Sequence, residues 1–185
     1  MTRVVAGSAG GRRIVVPRGR AVRPTSDRAR EGLFSSLEAM RGPLAGARFL
    51  DLYAGTGAVG IEALSRGAAQ VTFVESDDVA SGVIRANLKS LGLSGQVRQE
   101  SVERLSRAAP EGPPYDVCFA DPPYAYDRSA LAAGLVALAA EWLATGAVVV
   151  VERATRDPDW DWPEGFSAAR SRRYGDATLW YGHKS

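Results

Sequence analysis

The chain has 185 residues, 45% of them hydrophobic and 24% charged, which allows one well-buried domain with a small appendage and excludes two full domains or a disordered chain. A single cysteine, Cys118, excludes an intramolecular disulfide, and the lone His183 near the end excludes a histidine-centred triad or a His-rich metal site, so no bound metal is expected. The formal net charge is +2, yet residues 1 to 30 hold eight of the 23 basic residues and, in Asp27, one of the 21 acids; a basic arm on an acidic body is the footprint of a protein that meets phosphate at one end.

Two short β-branched runs, Arg3 to Ala6 and Arg12 to Val16, flank a glycine-rich turn and predict a β-hairpin. The arginine-rich start resembles a transit peptide in composition, but its glycines and Pro17 break the amphipathic helix such a peptide needs, so the protein is expected in the cytoplasm. Ser26 or Asp27 then caps a helix with Ala29, Leu33, Phe34, Leu37 and Met40 on one face, ended by Gly42-Pro43.

From residue 48 strands and helices alternate. RFLDL precedes the helix AVGIEALSRG, and QVTFVE precedes a helix from Asp78 to Leu91. A short strand from Gln96 to Gln99 leads to a helix from Val102 to Ala108, and YDVCFAD leads to one from Arg128 to Leu143, followed by the strand AVVVVE. Residues 131 to 151 carry a single charge and could pass for a membrane span, but Glu141 and Thr145-Gly146 divide them into helix, turn and buried strand. A last hairpin turns at Gly175-Asp176. Apolar strands alternating with helices imply a mostly parallel sheet covered on both faces, here a domain over 25–185 behind a basic extension over 1–24. In such sheets ligands bind beyond the carboxyl ends of the strands, where the strand order reverses.

After the first of these strands comes DLYAGTGAVG, in which Gly55, Gly57 and Gly60 match a dinucleotide fingerprint. Asp51 argues against a pyrophosphate, which needs amide donors and a positive dipole. The same carboxylate suits S-adenosylmethionine, which carries an ammonium and a sulfonium and no phosphate. The glycines permit close backbone approach to it, and Glu75, ending the second strand of the alternation, can accept both ribose hydroxyls.

On the same rim lies DPPY, residues 121 to 124. The two prolines offer no N–H donors and hold Asp121 extended, so the Asp121 carboxylate and the Pro122 carbonyl form a rigid cluster of acceptors. Their natural partner is the exocyclic amino group of a nucleobase, with Tyr124 as a stacking surface. Hydrogen bonds from the amino protons to Asp121 and Pro122 favour a tetrahedral nitrogen whose lone pair is free to attack the sulfonium methyl.

These residues resemble the amino-methyltransferases of the S-adenosylmethionine-dependent, Rossmann-like class I superfamily. More narrowly, RPTSDRAREGLFSSL, DLYAGTGAVGIEALSRGA, VESD, FADPPY and RRYGDATLWY are similar to the RsmD-type small-subunit (16S) ribosomal RNA guanine-N2 methyltransferases, over nearly the whole chain. The resemblance implies a seven-stranded sheet with the last strand antiparallel, and an Asp121 and Tyr124 that grip guanine. It implies that Asp51, Gly55, Gly57 and Glu75, with Tyr53, Thr56 and Ser76 beside them, hold the cofactor, and that Thr25 and Arg28 close over it. Where related enzymes bind the adenine amino group with Asp or Asn, this chain has Glu100-Ser101, and Ser101 with the Val102 amide is the expected contact, or Glu100 if the alignment slips by one. Arg3, Arg12, Arg13, Arg18, Arg20 and Arg23 are expected on RNA phosphate, in a protein that acts as a monomer on an assembled or assembling small subunit. The alternatives are a DNA amino-methyltransferase acting on adenine N6 or cytosine N4, a non-catalytic RNA-binding assembly factor with the same fold, and, more distantly, a dinucleotide oxidoreductase.

Overall fold

The computed structural model describes residues 2–16 and 25–185; Arg18, Arg20 and Arg23 lie outside the described residues. A two-stranded hairpin, β1 (Thr2–Arg3) and β2 (Arg13–Ile14), precedes α1 (Asp27–Arg41). The alternating body runs β3 (Arg48–Leu52), α2 (Ala58–Ser65), β4 (Gln70–Val74), α3 (Asp78–Leu91), β5 (Gln96–Arg98), α4 (Val102–Leu105), β6 (Tyr115–Ala120), α5 (Arg128–Glu141) and β7 (Leu143–Ala154). A closing pair, β8 (Phe166–Tyr174) and β9 (Ala177–Lys184), completes one seven-stranded sheet of order β5-β4-β3-β6-β7-β9-β8. The strands from β5 to β7 are parallel, whereas β9 runs antiparallel to both β7 and β8. This is the Rossmann-like class I methyltransferase fold, with the order reversing between β3 and β6.

Alternation along each strand separates two cores. Phe49, Phe73, Val117, Phe119, Val148 and Val150 face Leu33, Phe34 and Leu37 of α1, Ile61 of α2 and Ile84 of α3. Leu50, Leu52, Val74, Cys118 and Val149 face the other way, against Leu105 of α4 and Leu131, Leu135 and Leu138 of α5. The helices start on side-chain caps wherever a loop can supply one: Ser26, Asp77, Ser101 and Asp127 each accept a backbone N–H from the first turn. Among the described residues no helix is long and apolar enough to cross a membrane.

Besides shifts of one or two residues, such as α5 ending at Glu141 rather than Leu143, three features differ from expectation. The hairpin pairs over only two residues per strand because its connecting loop is bonded to α2 instead: the Val5 and Ala6 N–H groups donate to the buried Glu62 carboxylate at 2.7 and 2.9 Å, and Ala9 N–H donates to Ser65 Oγ at 2.9 Å. Val4, Ala9 and Ile14 consequently belong to the first core. Helix α4 stops at Leu105, before a Pro- and Gly-rich stretch from Pro110 to Pro114. The expected turn at Thr145-Gly146 is a bulge within β7, where Gly146 takes a φ of 79° and the pairing with β6 shifts register.

Candidate active site

The strand register places a row of acids on one face. Asp51 is level with Phe73 of β4 and Phe119 of β6, and Phe119 is level with Val150 of β7. Two residues further along the same face come Glu75, Asp121 and Glu152. These four carboxylates stand at the carboxyl ends of four adjacent strands, around the point where strand order reverses, and line a cleft of about 370 Å³. That size falls in the range of small-molecule sites.

Each acid is held by the local chain. Asp51 is buried and accepts the Gly60 N–H at 2.9 Å. A side chain at Gly60 would place its Cβ 2.3 Å from the Phe73 ring and 2.9 Å from Asp51 Oδ2, so the glycine is what lets α2 come down onto the sheet and reach that carboxylate. Glu75 accepts Gly55 N–H at 2.8 Å through one oxygen and Asp77 N–H at 2.9 Å through the other, which ties the glycine loop to the end of β4. Glu152 accepts the Thr25 hydroxyl at 3.3 Å. Between these acids, Tyr53 adopts a φ of 57°, alone among the described non-glycine residues in the left-handed region, at a cost of about 1–3 kcal/mol. Its ring packs against Tyr126 with centroids 5.5 Å apart.

The loop after β6 is equally constrained. Pro122 is buried while Tyr124, 45% exposed, presents its ring at the cleft rim. Arg153, buried beside Glu152, donates through Nη2 to the carbonyls of Tyr124 and Tyr126 at 3.4 and 3.3 Å and pairs with Asp157 at 3.2 Å. The Pro123 carbonyl accepts Tyr126 N–H at 2.8 Å. These bonds fix the carbonyls of Pro123, Tyr124 and Tyr126, directly after Asp121 and Pro122.

Burial pushes the Asp51 carboxyl up to about 8, with Glu75 adding to the rise and the Gly60 hydrogen bond opposing it. The Asp121 carboxyl is also raised, first by burial, then by the charges of Glu152 and Asp51, with Arg153 opposing. Such crowding is expensive without a compensating cation. No arginine or lysine is among the described residues lining the cleft, so it fits a positively charged ligand and disfavours a pyrophosphate.

Of the residues proposed from sequence for the cofactor, Thr25, Asp51, Tyr53, Gly55, Thr56, Glu75 and Ser76 line this cleft. The proposed base-contacting residues Asp121, Pro122 and Tyr124 line it as well. Others do not. Gly57, with a φ of 77°, forms the left-handed N-cap of α2 behind the loop. Ser101 caps α4 by accepting Arg104 N–H at 3.2 Å, and Val102 is buried in the second core; Glu100 pairs with Arg98 and Arg104. Arg28 of α1, expected over the cofactor, lines a second, polar cleft with Ser26, Thr155, Arg173, Tyr174 and Asp176.

Among the basic residues proposed for RNA, Arg3 and Arg13 are exposed. Arg12 is exposed too, but its guanidinium donates to the carbonyls of Leu91, at 2.8 Å, and Ser90, closing the end of α3. Sequence reasoning passed over Glu152 and Arg153. The available signal was positional: Glu152 ends a wholly apolar run from Ala147 to Val151, as Glu75 ends its own strand.

The chain matches the family model described as Conserved hypothetical protein 95 over residues 2–183. It is 38% identical to Ribosomal RNA small subunit methyltransferase D of Escherichia coli K12 over 152 residues, 81% of this chain and 73% of that one. The same enzyme of Haemophilus influenzae is 33% identical, covering 94% of this chain and 89% of its own. A solved hypothetical protein of Thermus thermophilus superposes with a TM-score of 0.82 at 32% identity over 98% of both chains.

Proposed function

Since the chain belongs to this family, that of the small-subunit ribosomal RNA methyltransferases D, we propose that it transfers a methyl group from S-adenosylmethionine to the exocyclic N2 of a guanine in small-subunit ribosomal RNA. The observation that carries the reading is the juxtaposition, at one reversal of strand order, of an acid-lined cleft with the rigid acceptor cluster of DPPY.

S-adenosylmethionine fits the donor set. Its two positive charges answer the crowded carboxylates, Asp51 and Glu75 lie where its ammonium and ribose would be held, and the Gly55 turn leaves its backbone approachable. When bound it supplies a methyl group made electrophilic by the sulfonium. The chain's own task is then to present a nitrogen. Tyr124 stacks on the target base, while Asp121 and the Pro122 carbonyl accept the amino protons and draw the nitrogen lone pair out of conjugation with the ring. Arg153 acts as a positioning residue by fixing the carbonyls on either side of Ala125. Holding nucleophile and methyl in attack geometry supplies much of the remaining acceleration.

Basic side chains near the cleft support RNA as the substrate. Arg28 and Arg173 line the neighbouring polar cleft, which adjoins the active cleft through the consecutive residues Thr25 and Ser26, and Arg3 and Arg13 are exposed on the hairpin. The large exposed hydrophobics among the described residues are scattered, at Val15, Val79, Tyr124 and Val136, which favours a monomer. The reading places the protein in the cytoplasm, with the small subunit assembled or assembling.

Labelled methyl from S-adenosylmethionine is expected on guanine N2 in small subunits taken from a strain that lacks this enzyme. Label in DNA would replace this reading with the DNA amino-methyltransferase. Cofactor binding with no transfer to any nucleic acid would replace it with the assembly factor.

A further inference from the structure

We propose that Glu152 selects guanine, accepting the N1–H of the target base while Asp121 accepts from its N2 amino group. The proposal deepens the reading above and rests on it.

The geometry comes from strand pairing. Ala120 is level with Val151 in parallel register, so the next residues, Asp121 and Glu152, stand side by side across one strand spacing, about 4.8 Å, and point to the same face. Both line the cleft, as does Tyr124. Their proximity is also felt electrostatically, since the Glu152 charge helps hold the Asp121 carboxyl above its ordinary range. Glu152 is 6% exposed at the end of the apolar run of a central strand. A carboxylate in such a place is costly unless donors meet it; the Thr25 hydroxyl is one such donor, and two carboxylate oxygens can accept several.

Guanine is the base whose edge supplies two donors in adjacent positions, N1–H and the N2 amino group. Adenine and cytosine carry an amino group beside a bare ring nitrogen. A second carboxylate next to Asp121 would therefore complete guanine's hydrogen bonds, and it would set lone pair against lone pair if adenine or cytosine entered. Sites that hydrogen-bond a substrate N–H reject analogues lacking it far more strongly than apolar pockets reject a change of shape. DPPY alone accepts an amino group from any of the three bases. Glu152 is the neighbour that tells them apart.

The test uses small subunits reconstituted with 2-aminopurine in place of the target guanine. This base keeps the N2 amino group but has a bare N1. The wild-type enzyme is expected to prefer guanine by about 100-fold or more in kcat/KM. In Glu152→Gln the side-chain amide can donate to the bare N1, so the preference should shrink at least about tenfold, chiefly through faster transfer to 2-aminopurine at saturating S-adenosylmethionine. A purely structural Glu152 would slow both substrates together and leave their ratio unaltered, which overturns the proposal, as would a wild-type enzyme indifferent to the two bases. A wild-type enzyme inactive on guanine itself would instead overturn the functional reading, and the proposal with it.

Discussion

The two faces of the sheet are built from alternate residues of the same strands, yet they end differently. On one face the central strands carry Asp51, Glu75, Asp121 and Glu152 at their carboxyl ends; on the other they carry Leu52, Val74, Ala120 and Val151, with the buried Arg153 beyond Val151 in β7. The second face is packed to its rim against α4, α5 and Trp142. The first is packed only up to Phe119 and Val150 and then opens into a cleft of crowded carboxylates. One face contributes stability throughout its length, while the other gives up stability in its last layer to hold charge where a ligand can reach it. A shift of one residue along a strand decides which of the two a side chain serves.

Substitutions on the two faces should separate activity from stability. The largest effect is expected for Asp121→Ala, which removes the proposed acceptor of the amino protons. Methyl transfer should fall about 10³-fold, in the range of a lost acid-base group, while calorimetry finds S-adenosylmethionine affinity within a few-fold of wild type. Activity above a tenth of wild type would show that DPPY positions the base without Asp121. On the opposite face Leu135, 1% exposed against the second core, offers the reverse outcome. Leu135→Ala should cost about 3 kcal/mol in urea unfolding, with kcat unchanged below the transition. A fall in kcat matching that of Asp121→Ala would mean that the faces are not independent.

The same contrast explains what was legible in the sequence. The strand and helix alternation was readable because both cores leave strong apolar patterns. Asp51, Glu75 and DPPY were readable because each sits directly after an apolar run, and each brings its chemistry in a local motif. Glu152 also follows such a run, but its meaning depends on β7 lying beside β6, which only the topology supplies. The helix contact of Arg12 is not legible for a related reason. Its partner carbonyl at Leu91 is 79 residues away, and nothing local distinguishes an arginine that closes a helix from one that meets phosphate. Arg28 lines the second cleft rather than the first, a placement set by how α1 packs on the sheet and not by any local motif.

The cost of ending a face in charge can itself be measured, at Asp51. Its carboxyl is raised from an ordinary 3.8 to about 8 by burial, so the folded protein keeps a proton that the unfolded chain has lost between those values. This contribution is fully present below about pH 4 and is lost as pH rises towards 8, at up to about 1.4 kcal/mol per pH unit. Asp121 is shifted in the same direction. Without ligand, the wild-type protein should therefore lose stability steadily from pH 5 to pH 8. Asp51→Asn keeps an acceptor for the Gly60 N–H but has no charge to desolvate, so it should flatten that slope without abolishing it and leave the variant the more stable of the two at pH 8. The same variant should bind S-adenosylmethionine about tenfold more weakly or worse, because an opposite charge has been removed from the ligand's side. Urea midpoints at four pH values, with and without the cofactor, read both effects. Parallel slopes for the two proteins would mean that Asp51 is better solvated than its burial implies; a flattened slope with undiminished cofactor affinity would mean that the charge is held there for something other than this ligand.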